Sequence, residues 1–367
     1  MASPYVPNVT SPSCGNTINL DNLHFTPDEL RSLNELIVLA FLESPKIETL
    51  TTVYRGIKND KRIGLIPGKF GLVGKAAQGC DPVPHCYEIE ASEKTWEPKY
   101  LEVILDICIT ELTDSLMRLA LNCGIDVYDL TKTQIATFLL DRFSPAINDM
   151  IFRYAWFGDT AAANFPGGVI TPGVDVTFFN VLNGYWQQLA VIAAADASRQ
   201  TALPGNDQLT YALQLSVATP VLMANAINNM IDAAVPELAM QPDRMILVTQ
   251  SVMQRLRRFL QALGTVFQDY KLMTNGLEVA NWDGIPIYSI PMWDQMIQAY
   301  ENNGTYWNYP HRALYTSKSN LALGMVCTSL FENINFFYDQ RSRYNRLEAT
   351  DAFDMKIIDD RLVQIGM

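Results

Sequence analysis

The hydrophobic pattern is most regular in residues 242–290, where its period changes from that of a strand to that of a helix. Residues 245–248 form an uninterrupted apolar run of strand length. Apolar residues then recur at helical spacing, with Ser251 as the predicted N-cap and Gly264 as the residue that ends the helix. A buried strand followed by an amphipathic helix is therefore predicted. The apolar positions of the helix are Val252, Leu256, Phe259, Leu260 and Leu263.

A second strand is predicted at the end of the same stretch. Residues 281–284 have the composition of a turn, and residues 285–290 alternate in polarity. Pro286 lacks the backbone N–H that an interior strand needs, so it favours a sheet edge. Residues 242–290 thus predict an α/β module, and they contain no catalytic motif.

The N-terminal part of the chain is irregular. Residues 1–25 are rich in Pro, Ser, Asn and Thr, which predicts an extended arm, and a capping box then opens a short helix at Thr26. Residues 51–95 combine repeated glycines with the most basic composition of the chain. Such a segment cannot bury a core of its own, so it predicts a long β-hairpin.

Helical spacing recurs between the hairpin and residue 242. One helix is predicted to begin at Glu97, and a second runs through Phe138. Ser144-Pro145 either kinks the second helix or begins a new one. Further helices are predicted in residues 184–197 and on both sides of Thr219, and strands in residues 313–315, 321–326 and 353–358.

Composition limits the classes of function. With 367 residues, of which 49% are hydrophobic and 18% charged, the chain is globular and can form one large domain or two ordinary ones. The net charge of −12 opposes tight binding to nucleic acid, which requires a basic surface. No apolar stretch approaches the roughly 20 residues that cross a bilayer, and no signal peptide is expected.

Cys80, His85 and Cys86 are the closest approach to a metal site. Structural zinc sites use closely spaced cysteines together with a second pair of ligands. The two cysteines here are more widely spaced, and Cys14 or His24 would have to complete the set. Reduced thiols are the simpler interpretation for all six cysteines, with a Cys80–Cys86 disulfide as the alternative in oxidising surroundings.

The sequence offers no catalytic constellation. Residues 68–76 superficially resemble a phosphate-binding loop, but the glycine spacing is one residue too long and Ala76 replaces the Ser or Thr that binds magnesium. No nucleophile elbow or metalloprotease helix accompanies the three histidines. Two carboxylate pairs are candidates for acid–base catalysis, although solvated charges explain such pairs more simply. They are Asp351 with Asp354, and Asp359 with Asp360.

Four features together resemble the major capsid proteins of tailed phages, whose coat fold is shared with herpesvirus capsid floors and encapsulin shells. They are the strand-to-helix sequence MILVTQSVMQRL, the Gly-Ile-Pro-Ile strand from Gly284, the basic glycine-rich hairpin, and the sequence IFRYAWFGD, which closes the spine helix in many phage coat proteins. The resemblance implies an α+β fold with an N-terminal arm, an extended β-hairpin loop, a peripheral domain with a long spine helix, and an axial domain. The implied boundaries are 1–45 for the arm and short helix, 46–96 for the hairpin loop, 97–200 for the peripheral domain, 201–330 for the axial domain and 331–367 for a return to the peripheral domain.

The resemblance implies a structural function without enzymatic activity or a cofactor. Copies of the chain would assemble as hexamers and pentamers into an icosahedral shell that encloses packaged double-stranded DNA without binding it tightly. Assembly would take place in the host bacterial cytoplasm and the chain would reside in the virion, with portal, scaffolding and decoration proteins as partners and no membrane contact. The polar stretch before Thr26 is too short for a built-in scaffolding segment. An encapsulin-like compartment shell and a carboxylate-dependent soluble hydrolase are the alternatives.

Contact candidates follow from the hairpin and from the C-terminal region. In the capsid family the hairpin loop lies across a neighbouring subunit, and a plain surface loop is the alternative here. Near the C-terminus, arginines occur with Tyr338 and Tyr344, a mixture typical of interfaces, with nucleic-acid contact as the alternative. Arg255, Arg257 and Arg258 are candidates for an anion site, although Arg255 and Arg258 share a helix face, which favours a solvated or salt-bridged surface. The candidates for inter-subunit contact are Lys58, Arg62, Lys69, Phe70, Lys75, Arg341, Arg343 and Arg346.

Overall fold

The structure is a computed structural model that describes residues 47–59, 61–65, 92–108, 129, 131, 134–160, 180–264, 268–272, 277–327, 333–341 and 344–367. The predicted arm, the first predicted helix, most of the hairpin and the candidate zinc ligands lie outside these residues. Within the described part of the chain, no helix is long and apolar enough to span a membrane.

The described residues form helices and strands in mixed order. The helices are α1 (Gln134–Phe157), α2 (Tyr185–Ala195), α3 (Tyr211–Val217), α4 (Pro220–Asp232), α5 (Pro236–Ala239), α6 (Gln250–Ala262) and α7 (Pro291–Tyr300). The strands are β1 (Thr52–Arg55), β2 (Arg62–Leu65), β3 (Ser92–Thr95), β4 (Lys99–Cys108), β5 (Gln200–Thr201), β6 (Arg244–Val248), β7 (Gln268–Leu272), β8 (Glu278–Trp282), β9 (Ile285–Ser289), β10 (Ala313–Ser317), β11 (Leu321–Met325), β12 (Asn333–Asp339), β13 (Tyr344–Ile357) and β14 (Val363–Gly366).

The strands form two main sheets and a small one. In the five-stranded sheet, the N-terminal half of β13 pairs antiparallel with β4 and β12, and its C-terminal half pairs with β11, which lies parallel to β1. The seven-stranded sheet has the order β5-β14-β10-β6-β9-β8-β7, and β2 pairs with β3 alone. The last strand, β14, therefore belongs to the seven-stranded sheet although β13 before it belongs to the five-stranded one.

The helix predicted to begin at Glu97 is wrong, because the chain forms strand β4 there. Leu101, Val103 and Leu105 pack against the core, whereas Ile104 between them is exposed. Apolar residues stood on both faces of the strand, so a helical stripe could be drawn through them. Ten residues of pairing with β13 decide the conformation, because they satisfy the backbone groups of a segment rich in β-branched residues.

The strand and helix predicted in residues 245–263 are confirmed as β6 and α6, but the predicted cap is wrong. The helix begins at Gln250, after Thr249 as N-cap, with no capping bond from the Thr249 side chain. Asp294 of α7 accepts hydrogen bonds from the backbone N–H groups of Gln250 (2.6 Å) and Ser251 (3.2 Å) instead. Gly264 follows the helix with φ of 74°, as predicted for the residue that ends it.

The edge position predicted for the strand with Pro286 is also wrong. That strand, β9, lies between β6 and β8 in the interior of the seven-stranded sheet. The pairing with β6 begins only at Ile287, so Pro286 lies beyond the register of that neighbour. A two-residue turn with positive φ at Asp283 (50°) and Gly284 (75°) joins β8 to β9. The proline is therefore tolerated without an edge.

Helix α1 continues through Ser144-Pro145 and ends within the sequence IFRYAWFGD. Directly after it the chain crosses the start of α2 at two glycines, where the backbone N–H of Gly184 donates to the Gly158 oxygen (2.8 Å). A Cβ on Gly184 would lie 2.7 Å from the backbone oxygen of Tyr154. A Cβ on Gly158 would lie 2.6 Å from the backbone oxygen of Leu182, so the close approach also requires the glycine before Asp159.

The largest core joins α1, α2 and α7 to both sheets. Gln188 of α2 bonds the backbone of β13, which fixes α2 on the five-stranded sheet. Trp293 of α7 lies edge-on to Trp156 of α1 and Trp186 of α2, with ring centroids 4.6 and 4.7 Å apart. These three residues, the tryptophan cluster, therefore connect the helices of one sheet with a helix that follows a strand of the other.

An ion pair between Glu301 and Arg312 is buried beside the tryptophan cluster, with side-chain exposures of 2% and 0%. The Arg312 guanidinium also donates to the backbone oxygen of Tyr309 (3.1 Å). It lies over the rings of Trp186 (5.3 Å) and Phe157 (5.6 Å). Burial raises the pKa of Glu301 and lowers the pKa of Arg312, and the attraction between the two charges opposes both shifts.

Candidate functional site

Strands β2 and β3 form the described stem of the predicted hairpin, pairing antiparallel over four residues each. Trp96, directly after the stem, is buried against Ile57 and β11. Gly324 of β11 permits this contact, because a Cβ there would lie 2.7 Å from both the Trp96 ring and the Ile57 side chain. The indole thus anchors the stem to the five-stranded sheet.

Gly324→Val is expected to lower the free energy of unfolding by about 1–3 kcal/mol, because the added atoms must displace Trp96 or Ile57. Urea denaturation followed by circular dichroism measures this change. Gly64→Ala is the matched control, since Gly64 lies in the stem and no atom stands within 4 Å of a Cβ there. Equal urea midpoints for Gly324→Val and the wild type would contradict the anchor.

Three of the predicted contact residues lie near the two ends of strand β4. Lys58 and Arg62 are exposed at the hairpin stem, where Arg62 pairs with Glu93 (2.8 Å). Arg341 is exposed in the turn between β12 and β13. Strand β4 runs between the two places, and its ten residues span about 30 Å. The candidates Lys69, Phe70, Lys75 and Arg343 lie outside the described residues.

Arg346 is held within its own chain. Its Nε and one terminal nitrogen donate to the two carboxylate oxygens of Asp106, at 2.6 and 2.9 Å. The two residues are register partners on β13 and β4. This bidentate contact keeps the pKa of Asp106 below its usual range and raises the pKa of Arg346. Arg346 therefore braces the sheet, whatever else it contacts.

The face of this sheet that points away from the core carries exposed apolar side chains. Tyr100 is 83% exposed, Ile104 47% and Phe337 39%. The strand register puts Phe337, Arg346 and Asp106 in one row across β12, β13 and β4. We call this the outer sheet face, and its mixture of aromatic, aliphatic and arginine side chains is typical of protein interfaces.

Sequence reasoning missed a second exposed apolar surface, which lies around α3. The side chains of Leu209, Leu213, Leu215, Val221 and Leu222 are between 47% and 67% exposed. The signal available in the sequence was a stretch, residues 208–231, that contains no Asp, Glu, Lys, Arg or His. Its hydrophobicity predicted burial, so the exposure became visible only in the fold.

The carboxylate pairs considered for catalysis have structural contacts. Asp354 lies 3.3 Å from Lys356, and Asp351 accepts a hydrogen bond from the next backbone N–H (2.7 Å). Asp359 is paired with Arg361 at 2.8 Å. Within the described residues, no group of three or more His, Cys, Asp or Glu side chains could hold a metal ion. These carboxylates thus serve local structure.

A cleft of about 620 Å³ lies beside Asp354, between the hairpin stem and α2. Three lysines line it, but each is close to a carboxylate. Lys94 pairs with Asp360, Lys99 lies 4.0 Å from Glu97, and Lys356 is paired as described. The cleft therefore offers no surplus of positive charge to an anionic ligand.

Ser251, Asp294 and His311 lie together at the start of α6. The Ser251 hydroxyl is 2.8 Å from His311 Nδ1, and His311 Nε2 is 3.2 Å from the backbone oxygen of Gln214. Nε2 must donate to that oxygen, so Nδ1 accepts from the serine. In a catalytic triad a carboxylate would occupy the place that the Gln214 oxygen takes here. His311 is fully buried, and burial lowers its pKa to about 4.

His311→Gln is expected to change how stability depends on pH. The pKa of His311 is about 4 in the folded wild type instead of 6.5. Its contribution therefore lowers the free energy of unfolding as pH falls between these values, because the unfolded chain binds the proton first. Burial raises the pKa of Asp294 from 3.8 to about 6. Its contribution therefore lowers the free energy of unfolding as pH rises from 3.8 to about 6. The two effects oppose each other in the wild type.

Removing the histidine removes its own effect and leaves the effect of Asp294 unopposed by it. Relative to the wild type, the free energy of unfolding of His311→Gln should increase by about 2 kcal/mol between pH 7 and pH 4.5. Urea denaturation at several pH values measures this difference. A difference between the two proteins that stays constant with pH would contradict the assignment of a neutral, buried histidine.

The comparisons with known proteins bear on the fold. No protein-family model matches the sequence, and no curated protein matches it. A solved structure of Gordonia phage Cozz is similar with a TM-score of 0.52 at 12% identity, over 90% of this chain and 88% of that one. The capsid of an empty GTA particle is similar with a TM-score of 0.51 at 11% identity, over 90% of both chains. The chain therefore has the α+β fold of the tailed-phage major capsid proteins.

Proposed function

We propose that this chain is the subunit of an icosahedral shell, assembling as hexamers and pentamers around packaged double-stranded DNA. The observation that carries the proposal is the fold, since the similarity to a particle capsid extends over 90% of the chain. The proposal includes the domain boundaries that the sequence resemblance implied, with α1 as the spine helix. The function is mechanical, and no catalytic role is assigned to any residue.

The surface supports self-association. The outer sheet face and the surface around α3 expose large apolar side chains, and apolar patches of this kind mark interaction sites. The contact candidates stand at two ends of β4, about 30 Å apart. A subunit with contacts at opposite ends can touch two neighbours at once. A closed lattice then multiplies contacts that are individually modest.

Charge supports enclosure of DNA without tight binding. The net charge of −12 repels phosphate, and the guanidinium of Arg346 is already paired with Asp106. A wall that does not bind the genome lets it be packed and released. Residence in the virion, assembly in the host cytoplasm, and portal, scaffolding and decoration proteins as partners belong to the same proposal.

Negative-stain microscopy of the purified protein tests the proposal. Shells, tubes or capsomer rings are the expected result. Compact isolated particles at every concentration would contradict it. The genes beside the coding gene separate a virion shell, with terminase and portal genes nearby, from an encapsulin-like compartment, with a cargo enzyme nearby.

A further inference from the structure

Helix α3 is attached to the body by hydrogen bonds. Its one buried side chain is that of Gln214, whose amide nitrogen donates to the backbone oxygen of Trp307 (2.7 Å). The Gln214 side-chain oxygen accepts from the Trp307 backbone N–H (3.1 Å), and its backbone oxygen lies 3.2 Å from His311 Nε2. Helix α3 therefore has its polar residue inside, which is the reverse of an ordinary surface helix.

The end of α3 is held by a buried cation. The Arg255 guanidinium donates to the backbone oxygens of Leu215 (3.1 Å) and Ala218. Carbonyls at a helix C-terminus favour such a positive charge. These polar bonds, together with the contact between the Tyr211 and Trp307 rings (4.4 Å), hold the helix on the body, so its exposed leucines are not needed to attach it.

The apolar side chains of this region face solvent. Leu213 and Leu215 flank Gln214 and are 47% and 52% exposed, and Val221 and Leu222 at the start of α4 are 55% and 49% exposed. Helix α4 already buries a separate face of its own, formed by Met223, Ala224, Ile227 and Met230. The exposed apolar residues are therefore not part of the core. An apolar surface that hydrogen bonds hold in place is suited to binding a partner.

The charge pattern identifies the partner. Residues 208–231 carry no Asp, Glu, Lys, Arg or His, in a chain of net charge −12. Two acidic copies repel each other over most of their surface, and the repulsion is least where both lack charge. Nucleic acid would require basic residues on this surface, and a basic protein would require acidic ones. A second copy of this chain is acidic elsewhere and uncharged at this same surface, so it fits the charge pattern.

We infer that residues 209–222 form an apolar contact with a second copy of this chain. The inference rests on the proposed shell function and assigns one of its contacts to named residues. Burial of these side chains supplies the association energy, and the hydrogen bonds of Gln214 and Arg255 keep the surface in place before the partner arrives.

Sedimentation velocity on the double variant Leu213→Gln/Val221→Gln tests the contact, with microscopy of the same samples. Self-association should weaken at least about tenfold relative to the wild type, because two apolar contacts are lost. Val191→Gln and Met240→Gln are the matched controls, with wild-type residues that are 61% and 71% exposed outside this surface. Both controls should associate like the wild type. Leu209→Gln, which lies before the helix, is a second test variant if the double variant does not fold.

The outcomes separate the contact from the shell. Shells from the wild type and equally from all variants would overturn the contact and leave the shell function standing. Small oligomers from the wild type that the double variant loses, without any shell, would support the contact and overturn the shell function. A wild type that stays monomeric would overturn both.

Discussion

Glu301→Gln is expected to lower the free energy of unfolding by about 3–5 kcal/mol, the cost of leaving a buried charge without its partner. Glu301 and Arg312 are 2% and 0% exposed, so water cannot replace the lost carboxylate. The arginine cannot escape by losing its proton, because a guanidinium is not deprotonated in proteins. Urea or thermal denaturation followed by circular dichroism measures the effect.

The exposed pair of Arg346 and Asp106 provides the control. Asp106→Asn should cost far less, because the two side chains are 31% and 39% exposed and solvent screens the charge that remains. The double variant Glu301→Leu/Arg312→Met should recover much of the loss of the single variant, since apolar replacement of both partners removes the unpaired charge. If Glu301→Gln and Asp106→Asn were equally mild, the buried pair would not stabilise the fold as described.

How much the sequence predicts depends on whether a signal is local. The strand β6, the helix α6 and the glycine at its end were predictable, because a short apolar run, helical spacing and a C-terminal glycine all act within a few residues. The cap of α6 was not, because Asp294 reaches Gln250 from another helix. Strand β4 was missed for the same reason, since its conformation depends on pairing with β13 far along the chain.

The contact candidates were predicted mainly from charge and stay a prediction. The described hairpin and C-terminal arginines are at the surface, but Arg346 is committed to Asp106, a pairing that only the strand register reveals. The surface around α3 was missed because its leucines predict burial by themselves. Gln214 takes the buried position through bonds to Trp307 and His311, which the chain brings in from a distant loop.

Long-range contacts in the core also join the two main sheets into one rigid unit. The tryptophan cluster and the Glu301–Arg312 pair lie in one core that reaches both sheets. A subunit whose two sheets are joined through packed rings resists bending between them. Such rigidity keeps contact surfaces at a fixed separation, as the proposed shell function would require. A substitution in the tryptophan cluster should therefore weaken the packing of both sheets.

Trp156→Ala is expected to lower the free energy of unfolding by about 3–5 kcal/mol, because a fully buried indole is removed and the surrounding helices can close the cavity only in part. Trp156 contacts both Trp186 and Trp293, at centroid distances of 5.9 and 4.6 Å. Its loss therefore separates α1 from α7 as well as from α2. Urea denaturation by circular dichroism measures the change in stability.

Trp156→Phe distinguishes loss of the aromatic contacts in the tryptophan cluster from loss of side-chain volume. Phenylalanine keeps an aromatic ring between Trp186 and Trp293, so this variant should lose less than half as much stability as Trp156→Ala. The alanine variant should also unfold over a broader range of urea, because the two sheets are no longer coupled through the cluster. A single transition as sharp as that of the wild type, with a loss below about 1 kcal/mol, would show that the sheets are joined elsewhere.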